Sequence, residues 1–148
     1  MGMHCWFEVK IRYEKVMENG MQRKVSEPYL IDALSFTEAE ARAIEEMTPF
    51  ISGEFTISDM KRAPYSEIFT SERKEDDLWF KAKLVFITLD EKSGAEKKTS
   101  TQILVQAADL RVAREYIDHN MKGTLADYQI ASISETPIVD VYFYDDPS

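Results

Sequence analysis

Two groups of side chains in the sequence combine a tryptophan with two basic residues, which could bind a ligand by stacking and by charge. Residues two or four apart in a strand point to the same face, so each tryptophan shares a face with its basic neighbours. The groups are Trp6, Lys10 and Arg12, and Trp79, Lys81 and Lys83. Such a face could stack bases and neutralise phosphates of single-stranded nucleic acid. It could equally anchor a protein or peptide, because tryptophan and arginine are favoured at interfaces.

The same residues also have a structural interpretation, in which each tryptophan fills a junction between two halves of the molecule and the lysines are solvated. Net charge favours protein contacts over nucleic acid. The chain has 27 Asp+Glu and 18 Lys+Arg, a formal charge of -9 that repels phosphate backbones and anionic lipid. We therefore predict a small binding or adaptor protein that acts through protein contacts, with self or another chain. Single-stranded nucleic-acid binding is the alternative, and membrane binding is disfavoured.

The sequence lacks the spacing of a catalytic or metal-binding motif. His4 and Cys5 are adjacent, but a thiol nucleophile needs a base that the fold places beside it. One cysteine and two histidines are too few for the usual zinc sites. Glu67 and Asp140 are equivalent carboxylates that could form an acid–base pair, yet no partner residues for that chemistry are identifiable. We predict no enzyme activity, no cofactor and no metal.

Hydropathy sets an expectation for the compartment. No apolar run approaches the roughly 18 residues that span a bilayer. The first seven residues lack the basic start and apolar core of a signal peptide. We therefore expect a cytoplasmic protein.

An internal repeat organises the chain. Trp-Phe-Glu-Val-Lys at 6–10 occurs again as Trp-Phe-Lys-Ala-Lys 73 residues later. Further matches keep the same order at similar offsets. They pair 19–20 with 93–94, 29–33 with 103–107, 41–42 with 113–114, 55–57 with 128–130, and Pro64 with Pro137. Order and chemistry preserved together indicate a tandem duplication.

Each copy is predicted to contain a hairpin, a helix and a third strand. In the first copy a strand over 6–16 alternates in polarity, and Glu18-Asn19-Gly20 suits a tight primed turn before a second strand ending at 29–33. Thr37 is the expected helix N-cap, with Glu40 completing a capping box and Ala41, Ile44 and Met47 forming the buried face. A third strand is expected over 54–60, and a short edge strand over 65–69 after Pro64.

The second copy follows the same plan. Asp109 is the expected N-cap, and Gly123 is a plausible stop. The third strand is expected over 127–133 and the short edge strand over 138–144. The apolar stripe of the helix comprises Val112, Ala113, Tyr116 and Ile117.

These elements predict an α+β fold, a tandem duplication of a ββαβ unit with mainly antiparallel sheet and one helix per repeat on one side. The first repeat spans 1–70 and the second 78–148. Residues 71–77 form a charged linker between them, and its Glu75-Asp76-Asp77 run is expected to be solvated. A unit of about 65 residues buries little surface alone, so we expect the halves to form one pseudo-twofold domain.

Three segments carry a resemblance to a known family. They are the opening Trp6-Phe7, the segment 29–33 followed by Ser-Phe-Thr-Glu-Ala-Glu-Ala at 35–41, and the closing Thr-Pro-Ile-Val-Asp-Val at 136–141. Together they resemble an uncharacterised bacterial domain of unknown function, met in gut anaerobes and their mobile elements. The resemblance covers nearly the whole chain and implies no activity.

Overall fold

The computed structural model describes residues 5–124 and 127–144, and within them the chain forms strands and helices in the predicted order. The elements are β1 Cys5–Val16, β2 Gln22–Ala33, α1 Phe36–Met47, β3 Phe55–Arg62, β4 Tyr65–Phe69, β5 Leu78–Leu89, β6 Glu96–Ala107, α2 Leu110–Asn120, β7 Asp127–Thr136 and β8 Asp140–Tyr142.

The strands form two four-stranded sheets with matching order. The first runs β3-β1-β2-β8 and the second runs β7-β5-β6-β4. In each sheet the first strand of a repeat pairs antiparallel with the second and third strands of that repeat. A short strand pairs in parallel with the second strand, at the edge of the sheet. A β-bulge also recurs at equivalent places, between Lys10 and Ile11 and between Lys83 and Leu84. These features confirm the duplicated α+β fold and the two edge strands.

Each short edge strand pairs in the sheet of the other repeat. β4 follows the first repeat but pairs with β6, and β8 follows the second repeat but pairs with β2. The chain accordingly divides into two compact units, residues 1–63 with 137–148, and residues 64–136. These are called unit 1 and unit 2. Their limits fall at Pro64 and Pro137, whereas the limits predicted from the repeat fall at residues 70 and 78.

Both hairpins turn at a glycine with positive φ, Gly20 at 82° and Gly94 at 71°. The first turn is wider than the tight primed turn that Glu18-Asn19-Gly20 predicts, because Met17 and Met21 close it through a backbone hydrogen bond of 2.8 Å. Asn19 does not adopt positive φ. Instead its side-chain oxygen accepts a hydrogen bond from the Met21 amide.

Helix α1 begins two residues earlier than predicted. Its N-cap is Ser35, whose hydroxyl accepts a hydrogen bond from the Glu38 amide at 3.1 Å, and Glu38 in turn accepts one from the Leu34 amide. This arrangement, in which Glu38 binds the amide of the residue before the N-cap, replaces the capping box expected at Thr37 and Glu40. The buried face shifts with it to Ala39, Ala43 and Met47. The prediction that Ala41 and Ile44 are buried is wrong, and Ile44 is 45% exposed.

Helix α2 matches its prediction. The Asp109 carboxylate accepts a hydrogen bond from the Val112 amide at 2.9 Å, and Ala113 and Ile117 are fully buried. The two N-caps, Ser35 and Asp109, lie 74 residues apart, so Arg42 is structurally equivalent to Tyr116. The sequence match of Arg42 with Arg114 is therefore out of register by two residues.

In both units the helix is much shorter than the hairpin it covers. Twelve strand residues extend about 40 Å, whereas twelve helical residues extend about 18 Å. Buried side chains such as Phe7, Ile11 and Ile31 lie in the covered half of the first hairpin, and those such as Phe80 and Val105 in the covered half of the second. The distal halves stay open, which leaves grooves beside the helices.

Candidate binding site

The six predicted site residues do not form two equivalent platforms. Trp79 is only 3% exposed, while Lys81 and Lys83 are exposed on the same strand. In unit 1, Trp6 and Lys10 are half-buried and Arg12 is exposed. A base or a partner side chain cannot stack on a buried indole, so Trp79 does not offer a stacking surface. The binding role of the exposed basic residues stays a prediction.

Trp6 is partly covered by the segment that follows β8. The edge of one ring meets the face of the other between Trp6 and Phe143, with centroids 5.1 Å apart. Arg42 holds this segment in place. Its guanidinium donates hydrogen bonds to the Asp32 and Phe143 carbonyls and lies 5.3 Å from the centre of the Tyr144 ring. Arg42 and Phe143 are 101 residues apart, so their contact has no signal in the local pattern.

The segment that follows β4 is held in an equivalent way in unit 2. The Ser71 amide donates to the Gln106 side chain at 2.9 Å. Asp76 is 2% exposed and accepts hydrogen bonds of 2.5 Å from the Ser71 and Tyr116 hydroxyls. Residues 71–77 were expected to be a solvated linker, and for Asp76 that expectation is wrong. Both donors reach Oδ2 of Asp76, and they offset part of the cost of burying its charge.

Electrostatics at Asp76 follow from these contacts. Burial alone would raise the pKa of this carboxyl, but the hydrogen bonds from Ser71 and Tyr116 and the nearby Arg73 cation outweigh it, and the net pKa lies below its ordinary value. Asp76 is therefore ionised at neutral pH. A permanently ionised carboxylate held by two donors fits a structural role better than proton transfer.

A tyrosine–carboxylate cluster lies in unit 1 at the border of the buried core. The hydroxyls of Tyr13 and Tyr29 donate to one oxygen of Glu27, at 2.7 and 3.3 Å. Burial, the hydrogen bond to Glu27 and the charge of Glu27 raise the pKa of Tyr13 to about 12. Burial and the same charge also raise the pKa of Tyr29. Neither tyrosine is ionised at neutral pH, so this cluster does not supply a phenolate nucleophile or base.

The larger groove lies beside this cluster, with a volume of about 1020 Å³. It runs between the distal part of β1 and the loop after α1, and Val16 and Phe50 on its walls are 65% and 75% exposed. Its charged lining mixes both signs, with Arg12, Lys15 and Lys24 alongside Glu14 and Glu54. The exposed apolar residues favour contact with another molecule. Because the charges are of both signs, they do not select one kind of ligand.

The second groove lies in unit 2 between helix α2 and strand β7, and we call it the α2–β7 groove. Its volume is about 910 Å³. The helix wall comprises Leu110, Arg111, Arg114 and Asp118, and the strand wall comprises Tyr128, Gln129, Ile130, Ser132 and Ile133. A 3.0 Å hydrogen bond from the Tyr128 hydroxyl to the Asp118 carboxylate closes one end. Apolar residues line the floor, and arginines line the helix rim.

Strand β7 is the outermost strand of its sheet. Its residues 128–134, Tyr-Gln-Ile-Ala-Ser-Ile-Ser, contain no charge, proline or glycine. The equivalent outer strand β3 carries Asp59, Lys61 and Arg62. Proteins commonly use charged residues to stop an exposed edge from pairing with another chain. Both strands share the bulge, so they differ in where their charges lie. Asp127 and Glu135 flank the uncharged run 128–134 of β7, whereas Asp59 and Lys61 lie within the corresponding run of β3.

The helices of the two repeats also differ in the charge of the residues at matching positions. With the N-caps aligned, Arg111 and Arg114 of α2 correspond to Thr37 and Glu40 of α1, and Asp118 corresponds to Ile44. The α2–β7 groove is therefore basic at its rim where the corresponding face of unit 1 is acidic or neutral. Sequence reasoning missed this site because the offset it used through the helix matched Arg114 to Arg42.

The described residues also bear on metal binding, acid–base catalysis and membrane insertion. Within residues 5–124 and 127–144, no group of three His, Cys, Asp or Glu side chains is placed to hold a metal ion. Glu67 and Asp140 are both exposed, and they lie on edge strands of different sheets. No helix in the described part of the chain is long and apolar enough to cross a membrane.

Comparison with known proteins identifies the family. The family described as Domain of unknown function (DUF4494) matches residues 5–144, and the chain belongs to it. No curated protein and no solved structure matches the chain significantly.

Proposed function

We propose that this DUF4494 protein is a non-enzymatic binding protein whose β7 edge takes up an extended segment of a partner protein as an additional strand. The observation that carries the proposal is the uncharged run 128–134 on an outermost strand, placed directly beside the α2–β7 groove. In strand addition, backbone hydrogen bonds to the edge supply affinity and a flanking groove receives alternate side chains. Both parts lie together in unit 2.

The dimensions of the groove suit such a ligand. The strand wall runs from Tyr128 to Ile133, which at about 3.3 Å per residue is close to 17–20 Å long. It would accommodate about six residues of an extended segment. The half-buried Ile130 and Ile133 would pack against the carbon atoms of the ligand side chains that face the helix.

A different protein suits the edge better than a second copy of this chain does. Antiparallel pairing of two β7 strands centred on Ala131 would set Asp127 of each copy opposite Glu135 of the other. Like charges directly opposite each other destabilise a strand pair. The setting we propose is the cytoplasm of a bacterium, with the protein carried on a mobile element and acting as an adaptor.

Fewer observations support the alternative function, single-stranded nucleic-acid binding. It needed two exposed tryptophans, and Trp79 is 3% exposed. The cations beside Trp79, which are Lys81 and Lys83, lie on β5 in the middle of a sheet, within a chain of net charge -9. Counterion release from a few scattered lysines gives weak, salt-sensitive binding.

Selection of displayed random peptides on the folded chain, followed by backbone methylation, tests the proposal. An added strand uses only one edge of its backbone, so its N–H groups alternate between bonded and free. Two versions of a selected peptide are made, one with N-methyl groups on its odd residues and one on its even residues. We expect one version to lose binding and the other to keep it, and bound peptide to slow amide exchange at 128–134 but not at 55–62. Equal effects of the two patterns, or protection elsewhere, would refute strand addition at β7.

A further inference from the structure

We infer that the segment bound at β7 is acidic, with carboxylates at alternate positions facing helix α2. This inference rests on the proposed function and specifies its ligand. It is carried by the charge of the α2–β7 groove, whose rim holds two arginines in a protein that is otherwise strongly acidic. Locally reversed charge at a groove selects ligands of the opposite sign.

The two arginines are available to a ligand. Arg114 is exposed, and within the described ranges no acidic side chain forms an ion pair with it. Arg111 pairs with Glu115 at 2.9 Å, with both side chains more than half exposed. An exposed pair of this kind contributes little and exchanges easily for a ligand carboxylate. The one acidic group on the groove wall, Asp118, is already hydrogen-bonded by Tyr128.

Strand geometry sets the spacing of the carboxylates. Alternate residues of an added strand point to the helix side and are separated by about 6.6–6.8 Å. Arg111 and Arg114 are three residues apart, which is about 4.5 Å along the helix axis. Their long side chains can span the difference, so acidic residues two apart in the ligand can each meet one guanidinium. Arginine binds carboxylates in a two-pronged geometry, which favours acidic residues over merely polar ones.

Divergence between the repeats supports the assignment. The positions of Arg111 and Arg114 hold Thr37 and Glu40 in the first repeat, whose outer strand carries Asp59 and Lys61. The repeat with the uncharged run on its outer strand is therefore also the repeat with arginines at the groove. Strand pairing and charge selection would act on the same ligand.

Fluorescence anisotropy with synthetic probes tests the inference. The probes are the eight-residue peptides Thr-Val-Glu-Val-Glu-Val-Thr-Val, its Lys counterpart and its Gln counterpart. Arg114→Glu installs the residue of the first repeat, and Lys98→Glu on β6, exposed and outside the groove, is the control with the same change in net charge. We expect the Glu peptide to bind more tightly than the Lys peptide and to lose about threefold to fivefold in affinity with Arg114→Glu, the upper range for an exposed charge pair. Lys98→Glu should change its affinity less than about twofold, since a distant exposed charge is screened.

The possible outcomes separate this inference from the proposed function. If all three peptides bind equally and protect 128–134 from exchange, strand addition stands and the acidic preference is refuted. Equal losses from Arg114→Glu and Lys98→Glu would also refute it, because the effect would then be one of net charge. If none of the probes binds but displayed peptides without acidic residues do protect β7, the inference fails while the proposed function stands. Displacement of the Glu peptide by an equally charged single-stranded oligonucleotide at equal affinity would show that the groove selects charge alone, and would overturn the assignment to an acidic peptide.

Discussion

Asp76 is the buried charge on which the segment between β4 and β5 depends. Replacing it with asparagine keeps the shape of the side chain and removes its charge. Hydrogen bonds to a charged group contribute about 1.5–3 kcal/mol each and neutral ones about 0.5–1.5 kcal/mol. Asp76 accepts two, from Ser71 and Tyr116, so Asp76→Asn should lower the free energy of unfolding by about 2 kcal/mol at pH 7.

The effect should depend on pH in a defined direction. The pKa of Asp76 is lower in the folded chain than its ordinary value of 3.8. Its stabilisation is therefore complete above that ordinary pKa, and it is lost as the pH falls through the lower folded value. The difference between wild type and Asp76→Asn should accordingly shrink as urea unfolding is repeated at pH values below about 4.

The neighbouring Asp77 provides the control. It is exposed, so Asp77→Asn should change the free energy of unfolding by no more than about 0.5 kcal/mol. A double-mutant cycle with Tyr116→Phe should show coupling, because Tyr116 donates directly to Asp76. The reasoning is refuted if Asp76→Asn costs no more than Asp77→Asn, or if its cost is the same at pH 7 and in acid.

Two further predictions concern the core and the tyrosine cluster. Ile117→Ala should cost about 2–4 kcal/mol in denaturant unfolding because Ile117 is fully buried, whereas Ile44→Ala should cost less than about 1 kcal/mol because Ile44 is 45% exposed; equal costs would contradict the observed register of α1. Glu27→Gln should lower the pKa values of Tyr13 and Tyr29, since the Glu27 charge helps to raise both, and an ultraviolet titration should then show tyrosinate forming at lower pH. An unchanged titration would remove Glu27 as a cause.

The elements of each repeat could be predicted because their signals are local. Alternating polarity in β1 and the Asp109 cap of α2 lie within a few residues of what they determine. The α1 error is local as well. Ser35-Glu38 and Thr37-Glu40 both satisfy the capping-box pattern, and only packing of Ala39 and Ala43 against the sheet decides between them.

The exchange of edge strands could not be predicted in the same way. Tyr65–Phe69 has the composition of a short edge strand whichever sheet it joins, and its partner β6 lies more than 30 residues further along the chain. Whether Trp79 is buried or exposed stays open in the sequence for a related reason. Strand periodicity states which face a side chain takes, but it does not state what covers that face.

Because the chain is duplicated, a comparison of its two repeats identifies the candidate site. Two copies of one unit have the same strand order, the same bulge and caps at matching positions, so those features report what the fold requires. Differences at matching positions are not required by the fold. Arg114, which replaces Glu40, lies on one wall of the α2–β7 groove, and the uncharged run 128–134 of β7 lies on the other. Because an exposed edge without charges is a liability in a protein with no use for it, the uncharged run beside basic helix residues is the difference between the repeats that the proposed ligand would account for.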